Sequence, residues 1–135
     1  MEPRDHVAKA QRIEASLRKL DPADDPEMII ETCMLAATHY FNAALHAEGI
    51  TNQLMDHAHT FRPTLDGYIK KPSAELQSAM EPLKFIEQLR PGHCRGTEPL
   101  SRAIMDKCLQ SLEEAKTGFL VIVGDAARPA VWSVV

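Results

Sequence analysis

The chain of 135 residues is one domain's worth, and 44% hydrophobic against 25% charged residues is an ordinary globular balance. Aromatic residues make up only 5% while Ala, Leu and Met abound, a composition that suits helix packing better than a β-sandwich. A net charge of −4 argues against sequence-specific DNA binding, and no apolar run approaches the roughly 20 residues of a membrane span.

That charge is uneven. Residues 1–50 carry five basic side chains against nine acidic ones, whereas residues 60–102 carry seven against five. The second stretch can hold a phosphate locally without being a duplex-binding stripe. The charged start "MEPRDHVAKAQRIE" does not read as a secretory signal. Cys33, Cys94 and Cys108 form an odd set without a CxxC pair, which points to reduced thiols and a cytoplasmic protein.

In chain order, Val7, Ala10, Ile13, Leu17 and Leu20 form one apolar stripe and predict an amphipathic helix over about Arg4 to Leu20. "DPADDPE" ends it, and Asp25 followed by Pro26 predicts the N-cap of a second helix. That helix, about Pro26 to Glu48, is apolar nearly all round, so it should be the central and most buried element. Gly49 suits the left-handed position that closes a helix. Thr51 is a candidate cap for a short helix ending near Met55. A third long helix is expected from Ser73 to Arg90, kinked or broken at Pro82. "RPGHCRGTEP" is a turn with Thr97 as its expected exit cap. A last helix is expected over about Glu98 to Thr117. The run "FLVIV" either continues it or docks on the bundle or on a second subunit. The pattern is an all-α bundle of four to five helices over residues 1–118, followed by an apolar extension, residues 119–135.

Two constellations could carry chemistry. His39, Asn42 and His46 share one stripe of the second helix, and Asp56, His57 and His59 follow closely enough to meet its polar end. Either they form a ligand-binding or catalytic cluster, or they satisfy buried backbone and pin the loop. A metal is not expected, because His39 and His46 stand about 10 Å apart along the axis and no Glu-x-x-His motif is present. In "LRPGHCRG", Arg90 and Arg95 flank His93 on a turn whose glycines can open backbone N–H groups to an anion. The alternative is that these arginines pair with acidic neighbours. Cys94 would have a depressed pKa there if exposed, or would be an ordinary turn thiol. No P-loop, GxGxxG or GxSxG sequence is present, and no cofactor is expected.

"AATHYFNAALHAEG", "DHAH" and "LKFIEQLRPGHCRG" resemble a bacterial group of small helical proteins similar to the HEPN (higher eukaryotes and prokaryotes nucleotide-binding) superfamily. In element order the resemblance spans about residues 5–115. It implies an up-and-down bundle, often dimeric, in a superfamily associated with nucleotide binding, RNA cleavage and toxin–antitoxin pairs. HEPN ribonucleases share an Arg followed, after four to six residues, by His. No arginine here has that spacing, and only two residues separate Arg90 from His93. Robust ribonuclease activity is therefore not expected. The expectation is a binding module for a nucleotide, RNA or other small anion. His39, Asn42, His46, Asp56, His57, Arg90 and Arg95 are its candidate ligand residues. The alternative is a structural or protein-interaction subunit, antitoxin-like or regulatory. A homodimer is expected, partly through "FLVIV" and Trp132, whose apolar surface exceeds what one small bundle covers.

Overall fold

A computed structural model describes residues 1–51 and 71–124. Four α-helices account for most of them: α1 (Pro3–Leu17), α2 (Pro26–Ala47), α3 (Ala74–Gln88) and α4 (Arg102–Val123). No strand occurs among the described residues. None of the helices there is long and apolar enough to cross a membrane.

Local chemistry sets the helix ends. Pro26 occupies the first turn of α2, with Asp25 at the N-cap position as expected. The Asp25 carboxylate, however, accepts from Asp21 N at 2.9 Å and so braces the α1–α2 turn instead of capping α2. At the other end of α2, Gly49 takes φ 72° and the Ile50 N–H returns to the Leu45 carbonyl at 3.0 Å. Ser73 caps α3, its hydroxyl accepting from Leu76 N at 3.1 Å.

The structure decides three expectations. Of the kink or break expected at Pro82, the break does not occur, and α3 continues to Gln88. Ser101, not Thr97, caps α4 through Ile104 N at 3.2 Å. Pro99 disfavours helical backbone at Glu98, so α4 begins only after it. Finally, α4 runs through Gly118 to Val123, and Phe119 and Val123 are core residues. The boundary expected after residue 118 therefore falls inside a helix.

Contacts at the two ends give the topology. The start of α1 meets the end of α2, where His6 touches His39 and His46. α3 starts beside the end of α2, where the Ser73 hydroxyl donates to the Glu48 carboxylate at 2.5 Å. α3 then runs back to the start of α2, where Arg90 meets Glu31. α4 begins at that same end and lies alongside α2, with Phe41 and Phe119 rings 5.6 Å apart. The helices thus run up, down, up and down.

α2 is the core of the bundle: fifteen of its 22 residues are buried, including Ile29, Cys33, Ala37 and Phe41. α1 and α4 flank it, and α3 packs chiefly on α4. Gly118 lets α3 and α4 come close, since a Cβ there would lie 2.7 Å from the Ala79 Cβ.

Candidate functional site

The polar stripe of α2 is real and mostly buried: His39 and Asn42 lie in the core, and His46 is partly exposed where the helix ends. The sequence reading missed the third imidazole. His6, on the first turn of α1, is 1% exposed, and its Nδ1 lies 2.9 Å from His39 Nδ1. Its ring centroid stands 5.2 Å from that of His39 and 5.3 Å from that of His46. One helix hairpin therefore gathers three histidines.

The Nδ1–Nδ1 contact constrains the tautomers. In a neutral pair one Nδ1 must donate and the other accept, so the two Nε2 atoms have opposite character, one an acceptor and the other an N–H donor. His46 Nδ1 shares a 2.7 Å hydrogen bond with the Thr51 hydroxyl, just past the Gly49 turn. Thr51 accordingly engages the histidine cluster. The short helix expected after it, together with Asp56, His57 and His59, lies outside the described residues. Among those residues, no group of three or more His, Cys, Asp or Glu side chains is placed to hold a metal ion.

The second constellation is at the far end of the bundle. Arg90–Cys94 winds into a single π-type turn that docks on the first turns of α2. Arg90 Nε bonds Glu31 Oε1 at 3.0 Å, with the Arg90 side chain only 11% exposed, so this arginine pairs with an acidic neighbour. Arg95 is exposed on the outside of the turn. His93 is buried, and its Nδ1 bonds the Glu98 carbonyl at 3.0 Å. Burial first, then the negative charge and hydrogen bond of Glu31, push the Cys94 thiol up to about 11 and outweigh the opposing pull of Arg90. An activated cysteine beside two arginines is thus the wrong picture.

The expectation that Arg90 or Arg95 joins the histidine seam in one site is also corrected. Glu31, which holds Arg90, precedes His39 by eight residues and His46 by fifteen, about 12 and 22 Å at 1.5 Å per residue.

Between the two ends lies a buried polar brace. Glu14 on α1 accepts a short hydrogen bond from the Tyr40 hydroxyl of α2 and an ion pair from Lys116 of α4 at 3.3 Å. Burial and the Glu14 carboxylate push the Tyr40 phenol well above its usual range. Nearby, the Cys33 thiol bonds Cys108, and that bond, with burial, keeps Cys33 protonated. Glu14 and Tyr40 tie α1 to α2, and Cys33 and Cys108 tie α2 to α4. No family model, curated protein or solved structure matches this chain.

Proposed function

We propose that the protein is a HEPN-like helical binding module that takes a nucleotide or another small anion at the histidine cluster, without robust ribonuclease activity. The observation that carries the reading is the convergence of His6, His39 and His46 from two helices. Imidazoles shared in this way supply both a donor and an acceptor, and any of them that gains a proton attracts an anion. The part-exposed His46 marks the side from which a ligand would enter. The absence of robust ribonuclease activity is supported by Arg90, whose guanidinium is held by Glu31 of α2, and by the two-residue spacing that separates it from His93.

Titration of the full chain with AMP and with inorganic phosphate tests the proposal, followed through the imidazole Cε1–H resonances and by calorimetry. Saturable shifts of the cluster resonances are expected, and His46→Ala should weaken binding several-fold. No response to either probe at millimolar concentration would remove the proposal.

The second reading is a structural or protein-interaction subunit, antitoxin-like or regulatory, in which the cluster only pins the chain. It draws on the bonds from His46 to Thr51 and from Glu48 to Ser73, which tie together both flanks of residues 52–70. Under this reading His39→Ala lowers stability and no ligand response exists to be lost. A cytoplasmic homodimer belongs to the proposal under either reading. Val121 on α4, 77% exposed, supports a contact between subunits.

A further inference from the structure

At the end of the bundle opposite the histidine cluster, a cavity of about 430 Å³ opens between the α1–α2 turn and the loop leading into α4. That volume falls within the range of small-molecule sites, roughly 300–1,000 Å³. Ile30, Leu100, Pro22 and Pro26 give it an apolar lining. Among the described residues, its one buried polar side chain is His93, 7% exposed.

The chemistry of that histidine is fixed by its neighbour. Nδ1 faces a backbone carbonyl, that of Glu98, at 3.0 Å, and a carbonyl can only accept. Nδ1 therefore carries a proton, and in the neutral ring Nε2 is then a hydrogen-bond acceptor. Nε2 has no hydrogen-bond partner among the described residues, and His93 lines the cavity. A ligand that satisfies Nε2 of the neutral ring brings a donor.

The charges around the mouth specify the donor further. Glu27 and Glu98 line the cavity, and Asp21, Asp24 and Asp25 crowd the turn that forms its wall. Among the described residues, the only cationic side chain in the lining, Arg102, bonds Asp106 at 2.9 Å. An anion in this cavity would meet an excess of carboxylates.

We infer that this cavity is a binding site for a small organic cation, an ammonium group carried on a compact hydrocarbon body. The ammonium donates to His93 Nε2 and sits among the carboxylates of Glu27 and Glu98, while the hydrocarbon covers Ile30 and Leu100. The site is separate from the histidine cluster: Ile30 and His46 are sixteen residues apart on α2, about 24 Å.

Three probes sharing one phenyl body test this on the full chain: phenethylamine, 2-phenylethanol and phenyl phosphate. Binding is read from the methyl resonances of Ile30 and Leu100 and by calorimetry. Phenethylamine should bind best, phenyl phosphate worst, and the Ile30 and Leu100 signals should move together. Glu27→Gln and Glu98→Gln, both at exposed positions, should each weaken phenethylamine about two- to five-fold, the scale of one exposed charge pair. Ala23→Trp, which fills the cavity from an exposed position in its lining, should abolish binding without unfolding the bundle. Equal or tighter binding of phenyl phosphate overturns the inference. So does phenethylamine binding that leaves the cavity methyls unmoved or ignores both Gln variants, and so does the absence of binding at millimolar concentration.

Discussion

Tyr40→Phe isolates the polar brace at the centre of the bundle. Tyr40 is 0% and Glu14 6% exposed, so their hydrogen bond has little solvent to compete with it. Removing the hydroxyl leaves the ring packing intact and one carboxylate oxygen buried without its donor, while Lys116 still holds the other at 3.3 Å. A hydrogen bond to a charged group contributes about 1.5–3 kcal/mol, and stranding a buried acceptor puts the loss at about 2 kcal/mol. With an unfolding entropy of about 2.1 cal/mol/K per residue, this chain should lose about 7 °C in Tm. The double variant with Glu14→Leu should cost less than the sum of the two singles, because an apolar pair no longer buries a charge. The phenol adds a pH signature. Its folded pKa is raised above the ordinary value of 10.0. The protonated state is therefore favoured by folding; that stabilisation is fully present below about pH 10 and is lost as pH rises beyond it. Chemical denaturation of wild type and Tyr40→Phe between pH 8 and 11 measures both effects. A loss below about 0.5 kcal/mol at pH 8, with parallel pH profiles, would refute the reasoning.

Other outcomes follow from single contacts. Cys94, with its thiol at about 11 against an ordinary 9.0, should react with iodoacetamide at pH 8 about 100-fold more slowly than a free thiol, since only the thiolate attacks. Stopped-flow alkylation at an ordinary rate would contradict the burial and charge assigned to it. Gly118→Ala should destabilise by about 1–2 kcal/mol, although alanine ordinarily gains about 1 kcal/mol over glycine in a helix. The cause is the 2.7 Å approach to the Ala79 Cβ, and Ala79→Gly should restore part of the loss in a thermal melt. Phe119→Ala should cost about 3–5 kcal/mol, because its side chain is fully buried against Phe41. Light scattering on the full chain and on a chain ending at Gly124 measures the subunit contact. A cut at Gly118 would confound it by removing Phe119 from the core.

The fold was legible wherever local pattern decides structure. α2 could be read as the central helix because Ile29, Ile30, Cys33, Met34, Ala37, Phe41, Ala44 and Leu45 together surround most of its axis with apolar side chains. Gly49 gave its end for an equally local reason, a backbone conformation that other residues resist. The misreadings have physical causes of their own. "FLVIV" was ambiguous because β-branched residues favour strands, yet α4 carries Phe119 and Val123 into a core already formed, and packing outweighs propensity. The start of α4 was misplaced because Thr97 and Ser101 are both acceptable caps, and only the restriction imposed by Pro99 separates them.

The site was less legible, because burial of a polar residue depends on a partner distant in sequence. The stripe read for α1 placed Val7, Ala10, Ile13 and Leu17 inwards; the face that is buried also contains His6 and Glu14. Neither would enter a core alone, and each does so against a residue of α2, His39 or Tyr40. A signal for this was present. Two helices joined by a short turn at residues 18–25 must lie antiparallel, which brings the start of the first to the end of the second. A histidine six residues into the chain therefore had to lie near the polar end of α2. The same reasoning separates the arginines from the histidines: whatever follows α3 emerges at the start of α2, a bundle length away from His46. Up-and-down topology thus distributes the chemistry of this chain to two ends, imidazoles at one and a carboxylate-rimmed cavity at the other. α2, with its fifteen buried residues, joins the two ends.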